Sequence, residues 1–223
     1  MLTKTEKQFS ILFFIIVLIE LLSASTNTLQ YVHFIAKPAI VISLIVVFLK
    51  TSQLLSKSIK NLTLLALIFS LLGDVLLMFV DTSAHFFTLG LVAFLIAHIM
   101  YVLLFLKHRN KTKSPFGFVA LLLIYAASLF NFLKDGLGDM LIPVALYMLV
   151  ILAMATSAYL RTNKVNILSY GLVFLGALCF MVSDSILAID KFYEPIPWSN
   201  ISIMTTYALA QYLIVLGILK IKN

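Results

Sequence analysis

Eight apolar runs, each long enough to cross a bilayer as one helix, follow one another along this chain at about 9–24, 32–49, 62–80, 86–106, 116–133, 141–160, 166–189 and 199–219. The longest polar connections, around Thr51–Asn61 and Lys107–Ser114, have only about ten residues, the size of ordinary inter-helix loops, so no soluble domain fits between the runs. A composition of 62% hydrophobic and 11% charged residues agrees, since soluble domains hold about 45–50% and 25%. The pattern predicts an all-α, polytopic membrane protein with eight transmembrane helices, residues 1–223 forming a single transmembrane domain.

The net charge of +7 could suggest a nucleic-acid partner, but its placement excludes that reading. Thirteen of the sixteen basic residues fall before the first span, after the last, or in alternate loops: Lys4 and Lys7; Lys50, Lys57 and Lys60; Lys107, Arg109, Lys111 and Lys113; Arg161 and Lys164; Lys220 and Lys222. The other loops hold only Lys134 and Lys191, and Lys37 lies inside the second span. This bias predicts that both termini face the cytoplasm. Lys4 and Lys7, an apolar run and Ser23-Ala24-Ser25 also imitate a secretory signal, but the alternation of basic loops is complete only if the first span stays. A lone Cys179 in an apolar helix reads as a small hydrophobe.

Within this apolar background two carboxylates stand out in matching local sequences, Asp74 in Leu-Leu-Gly-Asp-Val-Leu-Leu-Met (71–78) and Asp184 in Met-Val-Ser-Asp-Ser-Ile-Leu-Ala (181–188). An ionisable group at mid-helix costs roughly 2.5–3.5 kcal/mol on insertion scales, so such groups usually face a polar interior. Counting from the loops puts both at a similar depth in the outer half of the bilayer, in one layer with Lys37 and Glu20, and with His98 and Gln211 slightly deeper. Spacing of three and four residues aligns Gly90, Phe94, His98 and Tyr101 on span 4, Gly176, Phe180, Asp184 and Ala188 on span 7, and Tyr207, Gln211 and Ile214 on span 8.

The Asp segments, with Phe-Leu-Ile-Ala-His (94–98) against Tyr-Ala-Leu-Ala-Gln (207–211), suggest a 4+4 internal repeat about an axis along the membrane normal. Lys37-Pro38 reads in two ways: a kinked, cationic wall of the site, or a proline in the first turn of span 2 with Lys37 snorkelling to the interface. No Gly-x-Ser-x-Gly elbow is present. A zinc site would have to be built from His98, Asp74 and Asp184, a thin donor set, so neither a metal nor another cofactor is expected. What remains is acid/base chemistry, proton coupling, or a purely structural pair of buried acids.

Lys37-Pro38, Gly73-Asp74, Leu77-Met78, Gly90, Phe94, His98, Tyr101, the block from Gly176 through Phe180, Ser183-Asp184, Ala188, Phe192, Tyr207, Ala210-Gln211, Ile214 and Gly217 resemble the YhhN/lysoplasmalogenase family of eight-span membrane proteins. The first span and the span 5–6 hairpin add little beyond Tyr147. The resemblance implies a membrane-embedded hydrolase that cleaves the vinyl ether bond of lysoplasmalogens to a fatty aldehyde and a glycerophospho-alcohol. Vinyl-ether hydrolysis needs a proton delivered to the alkene carbon and water attack on the resulting oxocarbenium ion. Two like charges in a low-dielectric site do not readily ionise together, which supplies one protonated and one ionised carboxyl.

On this reading Asp74 and Asp184 are the catalytic pair in an order left open. Lys37, His98, Tyr101, Ser183, Tyr207 and Gln211 bind or orient, with Lys37 on the headgroup phosphate and His98 or Tyr207 on water. The partners are a lysophospholipid or ether-lipid substrate and the surrounding membrane lipids, in a bacterial cytoplasmic membrane. The alternative is a proton-coupled carrier for a lipid or amphiphile using the same Asp pair.

Overall fold

The structure, a computed structural model, describes residues 4–24 and 27–221; Ser25 and Lys222, used in the sequence reading, lie outside them. Eight helices follow in order: α1 Lys4–Ala24, α2 Gln30–Thr51, α3 Lys57–Leu77, α4 Ala84–Leu106, α5 Phe116–Leu133, α6 Leu141–Tyr159, α7 Ile167–Phe192 and α8 Ser199–Leu219. Short 3-10 turns sit at Asn27–Leu29, Lys134–Gly136 and Gly138–Met140, and there is no strand among the described residues. All eight helices are long and apolar enough to span a membrane, so the chain is an integral membrane protein.

Helix ends differ from the apolar runs where polar side chains have inward partners. The second helix starts at Gln30 rather than 32 because Gln30, His33 and Lys37, on one face by spacing, line an internal cavity. Pro38 therefore lies well inside α2, which overturns the first-turn reading of Lys37-Pro38. α3 stops at Leu77, although the apolar sequence runs on to Val80. Its last residues turn back through Met78 N–H to Val75 O and Phe79 N–H to Leu76 O. Side-chain caps define two starts: Ser83 Oγ accepts from His85 N–H at 3.3 Å, and Asn166 Oδ1 from Ser169 N–H at 2.8 Å.

The bundle is organised around α8, in which every residue from Tyr207 to Ile218 except Leu209 is buried. α1 joins this core through Phe13, fully buried and stacked on Tyr212 with ring centroids 5.0 Å apart. At the end carrying the termini, Lys220 Nζ donates to Glu6 Oε2 at 2.7 Å, both residues being buried. Removing one partner of a buried ion pair leaves the other charge uncompensated, at a cost of about 3–5 kcal/mol. Lys220→Met is accordingly expected to lower the unfolding temperature in detergent by several degrees, read by tryptophan or dye fluorescence. α5 is peripheral and buries only Leu122 and Leu133.

Glycines set the two closest helix pairings. A Cβ on Gly73 of α3 would meet the Phe94 ring of α4 at 2.6 Å, and one on Gly90 would meet Leu77 at 2.8 Å. On α7, a Cβ at Gly176 would lie 2.9 Å from Ala210 O, and at Gly217 of α8 it would lie 2.9 Å from Val173 N. Small residues let membrane helices approach this way without a hydrophobic drive. Each pairing contains one helix that bears an intramembrane Asp.

Candidate active site

Close packing of α3 on α4 and of α7 on α8 leaves a polar cavity of about 480 Å³ that Asp74, Asp184, Lys37, Ser183 and Tyr207 all line. Gln30, His33, Asp190, Lys191 and Asn200 continue its wall toward the end opposite the termini. The two carboxylates therefore share one space, as their matching depths predicted. Lys37 lines it with them, so three of the four charges expected in that layer face one cavity.

Each Asp is met by a tyrosine hydroxyl from a distant helix. Tyr207 OH donates to Asp74 Oδ2 at 2.6 Å, and Tyr147 OH donates to Asp184 Oδ2 at 2.6 Å. Behind Tyr207 the donors form a directed chain. Tyr101 OH donates to Gln211 Oε1 at 2.7 Å, and Gln211 Nε2 donates to Tyr207 OH at 3.4 Å. Because each group passes its donor forward, the chain ends with a hydroxyl hydrogen aimed at Asp74.

The surroundings of Asp184 are different. His98 Nδ1 lies 2.6 Å from Phe94 O, and a carbonyl only accepts, so Nδ1 carries the hydrogen. That leaves Nε2 without a hydrogen-bond partner and 3.5 Å from Asp184 Oδ2. The His98 ring is fixed edge-on between Phe180 (centroids 4.6 Å) and Tyr147 (5.3 Å). Phe94 and Phe180 both meet Tyr207 nearly perpendicularly, and Phe94, wedged on Gly73, completes an aromatic floor under the two acids.

Of the residues expected from sequence, Asp74, Asp184, His98, Tyr101, Tyr207, Gln211 and Lys37 converge. Ser183 lines the cavity, but its hydroxyl donates to Ile203 O at 3.0 Å and ties α7 to α8. Sequence reasoning gave Tyr147 no role; its resemblance to the family was the one available signal. It also overlooked the layer's second pair, in which His33 Nδ1 lies 2.9 Å from Oε1 of fully buried Glu20.

Eight membrane-length helices thus bring two tyrosine-bound aspartates to one cavity. Residues 32–218 match the YhhN family, and the chain belongs to that family. It is similar to human lysoplasmalogenase TMEM86B, 34% identical over 156 residues that cover 70% of this chain and 62% of that protein. It is also similar to lysoplasmalogenase TMEM86A of Bos taurus (33% over 160 residues, 68% and 62%) and to a lysoplasmalogenase of Mycobacterium tuberculosis (30% over 157 residues, 68% and 58%). The match spans less than two thirds of the length of each of these relatives. No solved structure matches the chain.

Proposed function

We propose that the chain is a lysoplasmalogenase-like hydrolase in which Asp184 delivers the proton and Asp74 activates water. The observation that carries the reading is the unequal partnering of two acids around one cavity. A neutral His98 Nε2 and an ionised Asp184 would oppose lone pairs, so a proton between them relieves the contact, and that proton is the one available to substrate. Asp74, with the Tyr101–Gln211–Tyr207 donor chain directed at it and Lys37 lining the same cavity, is suited to remain a carboxylate.

The steps balance as follows. The Asp184–His98 proton adds to the vinyl-ether carbon remote from oxygen, leaving an oxocarbenium ion. Water attacks the carbon bonded to the ether oxygen while Asp74 takes its proton, giving a hemiacetal. Collapse breaks the bond from that carbon to the glyceryl oxygen, which takes a proton as the hemiacetal hydroxyl loses one. The products are the aldehyde and the glycerophospho-alcohol, and both carboxyls regain their starting forms by proton exchange across the cavity. Lys37, with Lys191 and His33 farther along the wall, supplies cations and donors for the phosphate.

Topology fits this use. The basic-residue bias supports cytoplasmic termini, with the cavity then opening to the outer leaflet of a bacterial cytoplasmic membrane. A 4+4 repeat is part of the proposal, since the aligned stretches 94–98 and 207–211 each reach an Asp of the other half, Tyr207 bonding Asp74 and His98 facing Asp184. The carrier alternative gains no support from the named relatives.

Purified protein in detergent, given a vinyl-ether lysolipid and no gradient, is expected to release free aldehyde and to leave the saturated alkyl-ether analogue intact. Cleavage of neither substrate by folded protein contradicts the proposal. Tyr147→Phe tests the positioning role: losing its hydrogen bond of about 1 kcal/mol is expected to lower kcat roughly five- to tenfold with KM little changed. An unaltered kcat would remove Tyr147 from the site.

A further inference from the structure

A narrow apolar slot joins the polar cavity at its Asp184 end, and Leu77, Phe87, Phe94, Asp184 and Leu187 line both. Beyond that junction its wall is Leu91 of α4, Ala126 and Leu129 of α5, Met148 and Ile151 of α6, and Met181 of α7. The polar side chains within it are turned to one another. Tyr125 OH lies 2.6 Å from Ser185 Oγ, which donates to Met181 O at 2.7 Å, and Tyr147 is engaged by Asp184. Such a lining offers contact to hydrocarbon and no partner for water.

The slot has a direction. Near the loop end it is bounded by Phe87 and Phe192, which meet edge to face with centroids 5.6 Å apart, and by fully buried Leu133. In the other direction it reaches Leu152, which also lines an apolar recess of about 320 Å³ with Leu122, Leu149 and Leu160. The slot itself holds about 60 Å³, and α5, burying only Leu122 and Leu133, is the wall able to yield.

We propose, resting on the hydrolase reading, that this slot holds the hydrocarbon chain of a single-chain lipid whose headgroup occupies the polar cavity, and that Ala126 and Met148 set the chain-length preference. The bond to be cleaved then lies where the two spaces meet, beside Asp184. Polar cavity, acid and apolar slot occur in the same order as headgroup, ether linkage and tail.

Two measurements test it. Ala126→Phe places a ring in the slot, and is expected to lower the ratio of kcat/KM for a long-chain over a short-chain vinyl-ether lysolipid at least tenfold. Ile124→Phe, on the exposed face of the same helix and outside the slot, is expected to keep the wild-type ratio. An Ala126→Phe ratio equal to that of Ile124→Phe overturns the proposal.

The second measurement needs no turnover. Wild-type protein is irradiated with a saturated alkyl-ether lysophosphatidylethanolamine carrying a diazirine in mid-chain. Adducts on Ala126, Leu129, Met148 or Ile151 support the slot, whether or not aldehyde is ever produced. Adducts confined to residues outside it, exposed Ile124 included, overturn it. Absence of aldehyde from wild-type protein would contradict the hydrolase reading alone.

Discussion

Asp184→Asn is expected to lower kcat for a vinyl-ether lysolipid by about 10²–10⁴-fold, the range typical of a lost general acid, with the variant still folded and extractable. The amide keeps the size of the side chain and can still accept from Tyr147, so the helix packing around it is preserved. It cannot hand over a proton. Asp74→Asn is expected to fall in the same range for a different reason, since an amide does not take a proton from water. The double variant should be little worse than either single one if the acids act as a unit, because effects within one catalytic device do not add. Full activity in both single variants, measured as aldehyde release, would return the acids to a structural role.

A structural effect coupled to the site is expected at Gly176. In Gly176→Val a Cβ would stand 2.8 Å from Ile214 Cγ1, 2.9 Å from Ala210 O and 3.1 Å from Ile214 N, and two of these three atoms belong to the α8 backbone. The helices must separate, at a cost of about 1–3 kcal/mol for overpacking. Separation also carries Tyr207 and Gln211 away from Asp74, so activity should fall together with thermal stability. Gly171→Ala, on the same helix with nothing near its added carbon, provides the contrast. It is expected to be neutral or to stabilise by up to about 1 kcal/mol through helix propensity. Equal melting temperatures for the two variants in detergent would show that α7 and α8 do not rely on this contact.

The eight helices were legible because bilayer thickness imposes a minimum apolar length and backbone hydrogen bonding imposes the helix. Their ends were less so. Gln30 belongs to α2 although it is polar and precedes the apolar run, because it lines a polar cavity, a fact that hydropathy along the chain does not contain. α3, conversely, stops three residues before its apolar run does. The cost of the two acids in hydrocarbon, with loop counting, pointed to one candidate site, and both line the same cavity.

Partnership was beyond reach. Tyr207 finds Asp74 across 133 positions and Tyr147 finds Asp184 across 37, by packing of whole helices. A tyrosine in an apolar run looks the same whether it anchors at an interface, fills a core or holds a carboxylate. The tautomer of His98 likewise follows from one contact, Nδ1 with the carbonyl of Phe94 a turn earlier, which becomes significant only once Asp184 is seen on the other side of the ring.

The central claim is that water adds to the carbon of a vinyl ether that the Asp pair has first protonated. Turnover of a vinyl-ether lysolipid by the purified protein in water enriched in the heavy oxygen isotope, followed by mass analysis of the glycerophospho-alcohol, tests it most directly. Attack at the oxocarbenium carbon leaves the original oxygen on the glycerol, so the alcohol is expected to carry no label. Heavy oxygen in the alcohol would place bond breaking on the glycerol side of the ether and contradict the proposed roles of Asp184 and Asp74.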